Sequence, residues 1–184
     1  LIDVTGSMDQ ELDVFKSSHS TLRLQILDQA CVSANPPREA LVLFDAAPTI
    51  SIDLTADESS FESALAAASI GGSSTENAAA ALSATAGLAW NGGSSRHIII
   101  LTDEVGEWSP AEQTAAIAAL VDLGATTWVV VADGASSFPA IVASYSPILF
   151  GSSSVSSSGD PNIFDVGSFG LPGLAQTISQ VLEL

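Results

Sequence analysis

The chain has 184 residues, 47% of them hydrophobic, and carries 21 acidic side chains against four basic ones, a formal net charge of −17 at pH 7. That length is about one domain with ample core material, and the acidity excludes nucleic acid and anionic membrane surfaces as partners, because it repels phosphate and offers no basic stripe. The longest apolar runs, such as Thr127 to Ala132, are of strand length and far short of the roughly 20 residues of a spanning helix, so no direct membrane insertion is expected.

Leu1 to Val4 reads as a strand end. A core strand normally has about 5–6 residues, so the chain is expected to be a fragment of a longer protein that lacks the start of this strand. Leu12, Phe15, Leu22, Leu24, Ile26, Leu27 and Cys31 recur at helical spacing, with an interruption expected near Ser17 to Ser20 and a stop at Asn35-Pro36-Pro37. Cys31 is the single cysteine, which rules out an intrachain disulfide and makes a buried structural thiol the default. Leu41 to Phe44 and Ile50 to Leu54 form a predicted hairpin across Asp45 to Pro48. Helices are expected at 57–68 and 76–90, separated by Ile70-Gly71-Gly72-Ser73-Ser74.

His97 to Thr102 is a continuous apolar run of the kind found in parallel strands buried on both faces, and it ends at Asp103. Pro110 to Leu123 is a helix with proline in its first turn and Gly124 after its last. Thr127 to Ala132 is a second buried strand, followed by a short helix over 136–145 and a short strand at Ile148 to Phe150. The segment 151–159 reads as a flexible serine-rich loop, and Leu171 to Leu184 as a closing amphipathic helix. The order β-α-β-β-α-α-β-α-β-α-β-α predicts one doubly wound α/β domain over 1–184, with a mostly parallel central sheet, one antiparallel edge strand and helices on both faces.

In such sheets ligands bind beyond the carboxyl ends of the strands, where the strand order reverses. Asp3, Thr5 and Ser7 sit at i, i+2, i+4 on the loop leaving the first strand, and Asp103 ends the fourth. These oxygens suit Mg²⁺, Mn²⁺ or Ca²⁺. If the two strands are neighbours, their carboxylates meet at one edge, and a divalent cation relieves the repulsion. The loop Gly71 to Glu76 is the third contributor, its glycines allowing close backbone approach. Taken singly, each loop reads first as a structural element such as a helix cap, and it is the three in this chain order that point to a site. Glu104 is expected to point into solvent, with the site as the alternative, His19 and His97 to be structural or surface residues, and Trp108 to be a packing residue near the site.

With these three loops in this order, the chain resembles the von Willebrand factor type A family and the related I-like domain of integrin β chains. Asp3-Val4-Thr5-Gly6-Ser7-Met8 matches the D-x-S/T-x-S element, and Leu101-Thr102-Asp103 the late L-T-D element. The resemblance implies a metal-ion-dependent adhesion site holding one divalent cation, Mg²⁺ foremost, with Mn²⁺ or Ca²⁺ as alternatives. Asp3, Thr5, Ser7 and Asp103 would be its ligands, Asp103 acting directly or through water. For the middle ligand Thr75 is the choice of ordinary type A domains, but the position of Ala81-Leu82 favours Glu76, as in integrin β chains; Thr75 stays as the alternative. Met8-Asp9-Gln10-Glu11, Ser73 and Gly71 do not complete the flanking metal positions of integrins, so a single metal is expected.

The function implied is non-enzymatic: an adhesion or assembly module whose cation coordinates an Asp or Glu carboxylate of a protein partner. One alternative is a structural type A scaffold in a surface assembly, with the metal only stabilising. Another is a Mg²⁺-dependent haloacid-dehalogenase-like phosphatase, which needs a second carboxylate two residues after the first, where this chain has Thr5. Acidity, the Ser/Thr/Ala-rich composition and the short first strand favour an extracellular or cell-surface location, although the family also has intracellular members that assist ATP-driven machines.

Overall fold

Alternation within the apolar runs decides which face of the sheet each side chain reaches, and both faces are covered. A computed structural model describes residues 1–29, 37–71, 73–132 and 137–165. In chain order these form β1 (Ile2–Asp3), a 3-10 turn (Gly6–Met8), α1 (Asp9–Gln29), β2 (Glu39–Phe44), β3 (Pro48–Thr55), α2 (Glu58–Ala67), α3 (Ala78–Thr85), β4 (His97–Thr102), α4 (Pro110–Leu123), β5 (Thr126–Val131), α5 (Phe138–Gly151) and β6 (Ile163–Asp165). The sheet order is β3-β2-β1-β4-β5-β6, parallel throughout except for the antiparallel edge strand β3. This is the doubly wound architecture expected from the element order.

In β4, Ile98 and Ile100 enter one core with Val129 and Val131 of β5, while Leu101 enters a second with Val130. Leu82 of α3, Leu120 of α4 and Ile141 of α5 fill the first core; Leu12 and Leu22 of α1 and Leu65 of α2 fill the second. The continuous apolar run of β4 is therefore the mark of a strand buried on two sides. The ends of α4 follow their sequence signals closely. Ser109 and Glu112 form a reciprocal capping box, Pro110 opens the helix and Gly124 closes it in the left-handed conformation at φ 60°.

Several expectations are corrected. Helix α1 runs without a break through Ser17 to Ser20, and the Ser17 and Ser18 hydroxyls donate back to the Val14 carbonyl within it. Helix α3 is shorter than 76–90, and Trp90 folds back to donate its indole N–H to the Thr85 carbonyl at 2.8 Å. Ile148 to Phe150 is not a strand but the last turn of α5, where Ile141, Tyr145, Ile148 and Leu149 share a buried helical face. The sixth strand is instead Ile163–Asp165, pairing with Val129 to Val131.

The serine-rich segment is an ordered connection. Ser154 is buried and accepts from the Thr127 N–H at 3.0 Å, and Asn162 donates to the Thr127 carbonyl, so the segment satisfies backbone groups at the start of β5. Cys31, the stop at Asn35-Pro36, Gly72 and the helix expected over Leu171 to Leu184 lie outside the described residues. Among the described residues, no helix is long and apolar enough to cross a membrane.

Candidate metal centre

Strand order reverses at β1, which lies between β2 and β4 with Ile2 opposite both Leu43 and Leu101. The carboxyl ends of β1 and β4 therefore open side by side, and the crevice expected at a switch point forms there. Asp3 is fully buried. Its Oδ1 accepts from the Thr5 backbone N–H and from Thr5 Oγ1, each at 2.9 Å, and its Oδ2 accepts from Thr102 Oγ1 at 3.0 Å. Extended backbone at Thr5, followed directly by the 3-10 turn, curls the loop so that Thr5 and Ser7 hydroxyls lie 3.3 Å apart.

Ser7 closes the gap between the strand ends. Its Oγ lies 3.1 Å from Asp103 Oδ1 and 3.0 Å from Glu104 Oε1. A hydroxyl carries one proton. That proton serves one of these carboxylates at a time, and the Thr5 hydroxyl proton is already directed at Asp3. The cluster thus has more acceptor oxygens than hydrogens to fill them.

Glu76 reaches the same place from the third loop. It is 1% exposed, and neither of its carboxylate oxygens has a hydrogen-bond partner of good geometry. Burial in the first place, and then the adjacent Asp3 carboxyl, push Glu76 up to about 9, with Thr5 opposing and Glu104 adding to the rise. Asp103 is pushed up to about 6, mainly by burial; Ser7 opposes the shift, and Asp3, Glu104 and Glu11 reinforce it. Two neighbouring acids raised in this way mark a site short of positive charge.

The Glu76 loop is anchored on several sides. The Gly71 N–H donates to the Val4 carbonyl at 2.6 Å, and a side chain at Gly71 would displace the Asp45 carboxylate. Asn77 caps α3 by accepting from the Ala80 N–H, and its amide donates to Glu112 of the α4 capping box at 2.7 Å. The Glu107 N–H donates to the Glu76 carbonyl at 2.7 Å. Thr75, the alternative middle ligand, is half-buried, with its N–H on Ser73 Oγ.

Sequence reasoning put solvent ahead of the site for Glu104, which faces Ser7 rather than solvent alone. It also gave no sign of the support beneath the β4 loop. Trp108 packs edge-on against buried Tyr145, ring centroids 5.1 Å apart, and the Gly106 N–H donates to Ser144 Oγ of α5 at 3.2 Å. A methyl group at Gly106 would overlap the Trp108 ring. Gly106→Ala is therefore expected to cost about 1–3 kcal/mol through overpacking. Gly92→Ala, where nothing lies nearby, should stay within about 0.5 kcal/mol. Urea unfolding of both variants measures the difference.

His19 is a structural residue, buried and stacked on Phe61 at 4.4 Å, with Nε2 3.1 Å from Glu39 beside the Arg23–Glu39 ion pair. Among the described residues, no three Asp, Glu, His or Cys side chains close on a point by themselves. A cation at the strand ends would thus depend on the Thr5 and Ser7 hydroxyls as well as the carboxylates. An all-oxygen donor set with a partnerless buried carboxylate fits a hard divalent ion.

Comparison with known proteins agrees with the fold. The profile of the von Willebrand factor type A domain matches residues 1–106. The conserved hypothetical protein BatB from Bacteroides thetaiotaomicron is similar in structure, with a TM-score of 0.68 at 16% identity over 100% of this chain and 97% of that one. The SpRpn10 VWA domain has a TM-score of 0.66 at 14% identity, over 97% of this chain and 91% of that one. Proximal thread matrix protein 1 from the mussel byssus, with a zinc-occupied MIDAS motif, has a TM-score of 0.69 at 12% identity, over 99% of this chain but 43% of that one. This chain spans less than half the length of the mussel protein. A search of curated proteins returned no match.

Proposed function

The chain belongs to the von Willebrand factor type A family, and on that premise we infer that it is a metal-dependent, non-enzymatic binding module. The observation that carries this reading is the cluster in which the Thr5 and Ser7 hydroxyls link Asp3 to Asp103, with the partnerless Glu76 carboxylate buried beside it. Asp3, Glu76 and Asp103 would hold the charge of one divalent cation, Mg²⁺ foremost, and Thr5 and Ser7 would hold it through their hydroxyls. When bound, the cation supplies a Lewis-acidic position for an Asp or Glu carboxylate of a protein partner. The mussel matrix protein with its zinc-occupied motif supports divalent-ion binding.

The chain's own groups do the positioning. Thr102 and Thr5 fix both oxygens of Asp3, and Asn77 with Glu107 fixes the loop that carries Glu76. A secreted or surface location is part of the same reading, supported by the acidity of the chain.

Calorimetric titration with Mg²⁺, Mn²⁺ and Ca²⁺ should give one site for each ion. Pull-down from a surface extract should recover a partner that EDTA releases. Absence of binding for all three ions would overturn the reading. Saturating metal without an EDTA-sensitive partner would favour the stabilising scaffold instead.

A further inference from the structure

Glu104 stands directly after the strand-end Asp103 and is half-buried at the mouth of the metal centre. Its Oε1 lies 3.0 Å from Ser7 Oγ, the same hydroxyl that reaches Asp103 at 3.1 Å and Thr5 at 3.3 Å. The Glu104 backbone is fixed as well: its N–H donates to Thr102 Oγ1 at 3.3 Å, and Thr102 in turn donates to Asp3. An acid with no role at the site would relax into solvent, away from three other carboxylates. Here it is held at the hydroxyl where the site has fewest hydrogens to offer.

Resting on the metal-centre reading, we propose that Glu104 is a resident carboxylate of the site, one that would compete with a partner's acid for the cation and would have to leave before that acid binds. With Glu104 included, four carboxylates lie around the Thr5 and Ser7 hydroxyls that a cation would also need: Asp3, Glu76, Asp103 and Glu104. Their summed charge exceeds that of the ion and repels a further carboxylate. The site is therefore tight for the cation and closed to weak acids, and it selects partners whose acidic residue is supported by contacts elsewhere. The independent mark of a ligand at this place is Glu76, 1% exposed, with both oxygens unpartnered.

Mn²⁺ alone and acetate are sufficient probes. Wild type, Glu104→Gln and Glu104→Gly would be titrated with Mn²⁺ by calorimetry, with water-proton relaxation counting the waters bound to the ion. Both variants should bind Mn²⁺ about tenfold more weakly than wild type. Glu104→Gly should gain one bound water, and acetate should displace that water at a concentration at least about fivefold lower than any effect on wild type. Circular dichroism checks that the variants are folded, and Glu104→Gln keeps the side-chain shape if Glu104→Gly proves unstable.

Unchanged Mn²⁺ affinity, bound-water count and acetate response in both variants would overturn the proposal. If Asp3→Asn loses Mn²⁺ while both Glu104 variants behave as wild type, the metal centre stands and only the role of Glu104 falls. If wild type binds no Mn²⁺, both readings fall together.

Discussion

Asp3→Asn is expected to weaken Mg²⁺ and Mn²⁺ binding by at least about 100-fold, about 2.7 kcal/mol, while leaving the fold intact. The magnitude follows from position. Removing a group that only orients a metal ligand typically costs about 10–100-fold, and on the proposed reading Asp3 would contribute charge directly from the deepest point of the site. It is fully buried, between the Thr5 hydroxyl and backbone N–H on one oxygen and Thr102 on the other. The amide is the same size as the carboxylate, so packing among the strand ends is kept. What changes is one negative charge and one acceptor.

The fold should survive because the substituted amide can keep its oxygen toward the Thr5 N–H and turn its NH₂ toward Thr102, whose hydroxyl can rotate to accept. Thermal melting in EDTA is expected to differ little between the two proteins. At a free metal concentration of about 100-fold Kd, wild type should gain about 2.7 kcal/mol, roughly 5–10 °C in Tm for a chain of this size. The variant should gain almost nothing at the same concentration. Affinity within about threefold of wild type would remove Asp3 from the metal centre.

The parts legible in the sequence are those fixed by a local signal. His97 to Thr102 announces a two-sided buried strand, and Ser109, Pro110, Glu112 and Gly124 mark both ends of α4. Asp3 and Asp103 could be brought to one edge only on the condition that their strands are neighbours, and β1 and β4 are indeed neighbours. Legibility fails where two structures share one pattern. Ile148-Leu149-Phe150 is as apolar as a strand, and only the packing of Ile141 and Tyr145 one and two turns earlier identifies it as helix. Ile163–Asp165 is too short to announce itself, and it becomes a strand because β5 offers an open edge.

The same limit applies within the site. The residue types of all three loops could be read from their spacing, but the direction of a side chain on an irregular loop could not. Glu104 turns toward Ser7 because the loop behind it is pinned from three sides: by Glu107 on the Glu76 carbonyl, Gly106 on Ser144, and Trp108 on Tyr145. Those contacts join residues about 30 to 40 positions apart in the chain. No local pattern records them.

Glu76→Gln is expected to separate the stability of this protein from its metal affinity, moving the two in opposite directions. Glu76 is buried without a partner and held up to about 9, chiefly by burial and the Asp3 carboxyl. The sign follows from proton binding. An unfolded glutamate releases its proton near 4.5; between that value and about 9 the native state holds a proton the unfolded state has lost. Stability of the metal-free protein is thus greatest below about 4.5 as far as Glu76 is concerned, and it declines as pH rises toward 9, by at most about 1.4 kcal/mol per pH unit. Asp103, raised to about 6, adds to the decline only at the acidic end of that range.

A neutral glutamine cannot ionise, so the Glu76 part of the decline should vanish. In EDTA the variant should melt close to wild type at about pH 5 and several degrees above it at about pH 8.5. Cation binding reverses the comparison, because the ion needs the ionised carboxylate and expels its proton. Wild-type Mg²⁺ affinity should rise by up to about tenfold per pH unit between about pH 6 and 8, and metal should restore at alkaline pH the stability lost without it. The glutamine variant should show neither the rise nor the rescue. Parallel melting curves for the two proteins in EDTA across this range would mean that Glu76 carries no unresolved charge, and the case for it as the middle ligand would pass to Thr75.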